Sequence, residues 1–290
     1  MVMNICILEE PLIHAQCCLG ESPIWDPLGQ HLYWLDIEAG KLFRADEFGK
    51  GLCSFELGKK CGAIALCQKG KLLVATETGL AFWQEETGLG EDYETFFSPD
   101  QGLMMNDGKV DSLGRFWVGN KGPKGKAALF KVESGAHSKI VQEGVTISNG
   151  IDWSPDDQWC YYTDSGTQTI YKYRFDVQHG MMTDRENFFR SNTGTPDGLT
   201  VDAAGNIWTA IWDGAKIMQL SPNGEILTEL LLPVNRPTSV IFGGKKLQTL
   251  FITTAWTELP DEIRVKQPFA GDVFAFSSDI PGRLSKRFIE

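Results

Sequence analysis

"DAAGNIWTAIWDGAKIMQLSPNG", residues 202–224, is the stretch on which the fold turns. A turn at Gly205-Asn206 opens into a short run of β-branched and aromatic residues. Asp213-Gly214 makes a second turn, and the next run stops at Pro222-Asn223-Gly224. The runs are too short and too closely punctuated by Gly and Pro for helices, and they read as neighbouring strands of a meander. The pattern returns at "DPLGQHLYWLDIEAGKLFRAD" (26–46), "DSLGRFWVGN" (111–120) and "SPDDQWCYYTDSGTQTIYKYRFD" (154–176), and more weakly at 68–84 and 243–255. With Trp34, Val74, Trp117, Tyr162, Trp208 and Phe251 taken as equivalent positions, the repeats are 40 to 46 residues apart.

Six such repeats fill the chain. A period of this size, with about four short strands per unit, is that of a β-propeller blade. The expected fold is therefore all-β, a six-bladed propeller around a central channel. It forms one domain over residues 1–290, since no linker or low-complexity segment divides it. A blade cannot bury both of its faces alone, so the ring must close. "NICILE" (4–9) is expected to pair with "GDVFAF" (271–276) of the last blade and fasten the circle.

Composition narrows the partners. Lys and Arg number 27 against 38 Asp and Glu, a formal charge of −11 with no basic cluster. Nucleic acid and anionic membranes are disfavoured, because the phosphate contacts that drive such binding would be repulsive. No apolar run approaches the roughly 18 residues of a membrane span. The seven cysteines are odd in number and form no C-x-x-C spacing, which suits reduced thiols. The start "MVMNICILEEP" lacks the basic beginning of a secretory signal, so a cytoplasmic location is expected. Nothing in the sequence requires an obligate protein partner.

The polar residues follow the repeat. In a propeller the first strand of each blade lines the channel, so residues at one phase of successive repeats converge on a small volume. Counting back 10–13 residues from each reference position reaches Glu21, Asn106 with Asp107, Asn149, Asp197 and Thr238, while the second repeat offers Cys61-Gly62. "NDG" and "PDG" alone are ordinary turn signals. Their common phase points instead to a ring of donors at the channel mouth. Carboxylate and amide oxygens without His or Cys suit Ca²⁺, Mg²⁺ or Mn²⁺ better than zinc or copper. Glu21 and Asp197 would balance a divalent ion, with Asn149 and Asn106 as neutral donors. The four histidines fall outside this phase, and neither a G-x-S-x-G elbow nor a P-loop is present.

Taken together, "LGESPIWDPLGQHLYWLDI", "NDGKVDSLGRFWVGN", "SNGIDWSPDDQWCYYTDS" and "PDGLTVDAAGNIWTA" resemble the regucalcin (senescence marker protein), gluconolactonase and luciferin-regenerating enzyme family, in order, from about residue 17 to 256. The resemblance implies a six-bladed propeller with one divalent cation in its channel. Calcium comes first, with zinc, magnesium or manganese as alternatives. The implied activity is lactone hydrolysis, and the implied partner is a small-molecule lactone. It assigns Glu21, Asn149 and Asp197 to the metal, Asn106 and Asp107 to the substrate, and activation of water to Asp197, with Asp107 in reserve.

This chain departs from the family pattern at two places. Met104 stands in "LMMNDG" where sugar-lactone members commonly carry Arg, which removes a planar fork from the substrate side. The stretch "GNKGPKGKAALF", with Lys121, Lys124 and Lys126, reads as a solvated hairpin or a mobile lid. The alternatives are the same site acting on another ester or phosphoester, and a non-catalytic calcium-binding propeller. The YWTD-like look of "HLYWLDIEAGKLFRAD" favours a receptor scaffold only if the motif recurs in most blades, and it does not.

Overall fold

The computed structural model describes residues 4–135 and 137–290, apart from the side chain of His137. Six sheets follow one another along the chain. Their innermost strands are Gly20–Asp26, Cys61–Leu66, Met104–Val110, Ser148–Trp153, Thr195–Val201 and Pro237–Gly243. Each touches the next, and the last touches the first, which makes the ring. Helix is confined to a few short turns, and no helix among the described residues is long and apolar enough to cross a membrane.

The core is divided among the seams between blades. Six apolar clusters occupy the six seams, among them Trp25, Trp34 and Phe251 between blades six and one, and Trp117, Trp153 and Phe175 between blades three and four. A blade's two faces therefore belong to two different clusters, so the blades depend on one another. The sequence period is right, but its phase slips. Trp34, Val74 and Tyr162 pack on the preceding blade, whereas Trp117, Trp208 and Phe251 pack on the following one. Successive side chains of a strand point to opposite faces, so an offset of one residue changes the seam.

The ring closes differently from the sequence expectation. Asn4–Ile7 does not join the last blade; it runs parallel to Ile226–Leu231 as a fifth, outermost strand of blade five. Closure falls to Leu12 and Ile13, whose N–H groups both donate to Val273 O, at 2.8 and 3.0 Å, while Val273 N returns a bond to Ile13 O. Ile13 is buried in the seam between blades six and one, which Ile5 and Ile7, both exposed, could not fill. Thr238 adds a polar tie at the axis, its hydroxyl donating to Gly20 O of blade one.

The recurring D-x-x-G-x-x-W turn has a definite job. In blade five, Asp202 accepts from the N–H groups of Ala204 and Asn206, each at 2.9 Å, and from Trp208 Nε1 at 3.0 Å. Asp111 does the same in blade three for Leu113 N, Arg115 N and Trp117 Nε1. One buried carboxylate thus caps the hairpin and satisfies the indole of the next strand. Asp202→Ala strands these donors in the interior and is expected to cost about 2–3 kcal/mol. Denaturant midpoints at constant m-value check this, and a cost below about 0.5 kcal/mol would refute the assignment.

Candidate functional site

Every innermost strand carries a β-bulge at the same place, with one more residue on the inner strand than on its partner. In blades one, three, four and five two consecutive residues leave the ladder, at 22–23, 106–107, 149–150 and 197–198. In blades two and six only Gly62 and Thr238 do. A bulge bends the strand and re-aims side chains away from the sheet faces. "NDG" and "PDG" are therefore bulges within strands, and the residues they carry turn toward the axis. Crowding at the axis explains the small partners. A Cβ on Gly150 would lie 2.3 Å from Leu199 N of the next blade, and one on Gly62 2.3 Å from Met105 O.

A cavity of about 540 Å³ opens at this end of the channel, with Glu21, Asn106, Asn149 and Asp197 in its wall. All four are buried. Glu21 reaches it from the paired position just before its bulge, and Glu21 Oε2 accepts from Ser22 N at 2.8 Å. The two amides are held in defined orientations. Asn149 Nδ2 donates to Ser165 Oγ at 2.8 Å, and that hydroxyl donates on to Pro196 O at 2.7 Å. Asn106 Nδ2 donates to Ser148 O at 2.7 Å and to Asn149 Oδ1 at 3.3 Å. The nitrogen of Asn149 is therefore engaged at the wall, on the side away from its oxygen. Asp107 lies deeper: it lines a smaller space of about 60 Å³ inside the channel with Lys109, Asp152 and Arg283. Met104 packs on the apolar cluster that includes Leu19 and Ile37.

The electrostatics are those of crowded acids. Burial, then the charge of Asp107, raises the Glu21 carboxyl to about 8 against the opposing effect of its Ser22 bond and of Lys121. Asp197 is pushed well above the usual carboxylate range by burial, then by Glu21 and Asp107, with Lys121 opposing. Burial lifts Asp107 to about 6 even though Lys109 and the Gly108 N–H favour its charged form. Asp197 Oδ1 is fully buried and has no hydrogen-bond partner. A carboxylate oxygen so buried in the wall of a polar cavity calls for a donor or a cation. Among the described residues no three His, Cys, Asp or Glu side chains are grouped to hold a metal, so an ion here would need amide oxygens besides Glu21 and Asp197. Two carboxylates with an oriented amide oxygen fit a hard cation.

The sequence places Lys121 in a hairpin or lid and does not single out Trp212, yet both line the cavity. Lys121 ends strand Phe116–Lys121 and lines the cavity, whereas Lys124 and Lys126 lie in the exposed turn beyond it. Trp212 ends strand Ile207–Trp212 in the same way and forms an aromatic wall, with the Arg236 guanidinium 4.7 Å over its ring. The signal that could have found both is their shared position at the ends of second strands. His14 and His179 contact Asp272 and Asp176, and neither His14, His31 nor His179 lines the cavity.

A six-bladed ring with an acidic and amide cavity at one mouth defines a propeller whose site is built from several blades at once. Residues 19–256 match the SMP-30/gluconolactonase/LRE-like region, and the chain belongs to that family. It is 34% identical over 282 residues to a 6-deoxy-6-sulfogluconolactonase from Pseudomonas putida, covering 96% of this chain and 95% of that protein. It is 31% identical to human regucalcin over 93% of this chain and 92% of the other. A regucalcin from Agrobacterium tumefaciens, described as a calcium-binding protein, superposes with a TM-score of 0.93 at 23% identity over 99% of both chains, a likeness of fold.

Proposed function

We propose that the protein hydrolyses a small sugar-type lactone at the cavity beside Asp197, with a divalent cation, calcium first, held by Glu21, Asn149 and Asp197. The observation that carries this is the buried, unpartnered Asp197 Oδ1 beside Glu21. The relative that is 34% identical over nearly the whole chain, a lactonase by name, supports the substrate class. When bound, the cation supplies polarisation of the lactone carbonyl and offsets the negative charge that develops on its oxygen.

The remaining work belongs to the side chains. Asp197 takes the proton of the attacking water through the carboxylate oxygen that the cation leaves free, since a fully coordinated carboxylate is a poor base. Asp107 is the second acceptor along the channel. The Ser165 bridge fixes Asn149 so that its oxygen stays toward Asn106 and the cavity. Leu19, Ile37, Ile147 and Trp212 give the lactone ring an apolar wall and restrict water beside it.

The test is turnover of a panel of aldonolactones, followed by acid release, before and after exhaustive chelation. Activity is expected to fall at least about 100-fold on chelation and to return with calcium, magnesium, manganese or zinc. Undiminished hydrolysis by the chelated protein would reject the metal role. Absence of turnover on every lactone by metal-replete protein would reject the lactonase reading.

A further inference from the structure

Lys121 is the single basic residue among the described residues lining the cavity. Its ammonium donates no hydrogen bond to, and forms no ion pair with, any described residue, and acts on Glu21 and Asp197 only through space. Other charges at the rim are already matched. Glu38 is bonded by Lys60, and Asp213 by Arg236 Nε at 2.7 Å. Glu258 is exposed, so water screens it. Across the ladder Lys121 faces Met104, which offers it no polar group.

The charge balance then leaves one vacancy. If Glu21 and Asp197 neutralise a divalent cation, as in the function proposed above, and Lys109 offsets Asp107, Lys121 remains a half-buried positive charge with no anion bonded to it. A lysine so placed has donors to spare, and a bound anion would take charge-assisted hydrogen bonds from them. We propose that Lys121 selects lactones bearing an anionic substituent of the sulfonate, phosphate or carboxylate class, held at the blade-three wall of the cavity, two blades from Asp197. A neutral sugar lactone can offer the ammonium only hydroxyl acceptors, which bond it more weakly than an anion does. This rests on the lactonase reading for its substrate scaffold, but the anion preference can be measured separately.

The experiment compares kcat/KM for glucono-1,5-lactone with that for its 6-sulfonate, its 6-phosphate and a glucarolactone, in the wild type and in Lys121→Met, Lys121→Gln and Lys121→Arg. The wild type is expected to favour at least one anionic lactone. The anionic-to-neutral ratio should fall about 10- to 100-fold in Lys121→Met and Lys121→Gln, and should be largely kept by Lys121→Arg. The three anions identify which group is read. A wild type without anion preference, or a ratio unchanged in Lys121→Met, overturns the proposal. Calorimetric titration with 6-deoxy-6-sulfogluconate and gluconate decides the matter independently of turnover. Tighter binding of the sulfonated acid, lost in Lys121→Met, upholds the lysine's role even if no lactone is hydrolysed. Equal binding of the two acids refutes it.

Discussion

Asp197→Asn is expected to lower kcat/KM for lactone hydrolysis by about 10³-fold while leaving the metal-free protein as stable as the wild type or more so. The activity loss follows from the role of the group: a positioned base contributes about 10²–10⁴ in rate, and the amide has the carboxylate's shape without its basicity. The stability sign follows from the surroundings. Asp197 is buried beside two further acids, Glu21 and Asp107, and one of its oxygens has no partner. The neutral amide avoids both the desolvation and repulsion of the charged form and the cost of keeping the carboxyl protonated. Kinetics and thermal unfolding of chelated samples measure both effects. A variant that loses activity because it unfolds would contradict the argument, as would one keeping a tenth of the wild-type rate. The gain in metal-free stability is expected to reverse when calcium is added, since the wild type then gains binding energy that the amide cannot match.

Much of this site was legible because a propeller converts a period in sequence into a ring in space. Asn106, Asn149 and Asp197 could be found by counting, since their blades share one bulge at one phase, and Glu21 lies one position away. What counting could not supply was the direction of individual side chains. Trp117 and Trp208 carry the period as visibly as Trp34, yet face the opposite seam, because a one-residue offset changes the face without disturbing the spacing. The partner of the N-terminal strand is not legible in the sequence for a related reason. "NICILE" and "GDVFAF" both look like strands, and strand character does not encode the partner. The choice is made by burial, since Ile13 fills the seam between blades six and one while residues 4–7 lie on the rim of blade five. Lys121 was hidden by its company, for "GNKGPKGK" reads as one polar loop although its first lysine ends a strand.

Beneath the cavity the chain has built a buried ion network that joins three parts of the ring, and removing its centre is expected to have a large effect on stability. Asp152 accepts from Lys109 Nζ of blade three at 3.1 Å, from Val201 N of blade five at 2.9 Å and from Arg283 Nη2 of the C-terminal segment at 2.7 Å. Arg283 goes on to Trp153 O at 2.6 Å, and Phe288 is buried between blades two and three, so residues 283–288 strap the far mouth of the channel. Burial alone would raise the Asp152 carboxyl, but Lys109, Arg283 and the N–H bonds outweigh it and hold the group below the usual carboxylate range. Breaking one partner out of a buried pair costs about 3–5 kcal/mol, and Asp152→Ala leaves both cations facing the hole. The pH dependence has a definite sign. With the folded value depressed, the contribution is complete above the unfolded pKa near 3.9 and is lost as pH falls through the lower folded value. Wild-type stability should therefore drop steeply below about pH 4. Asp152→Asn should begin lower and lose less over the same interval, as urea midpoints between pH 7 and pH 3 will show. Parallel curves for the two proteins would mean that the network stabilises nothing that protonation can remove.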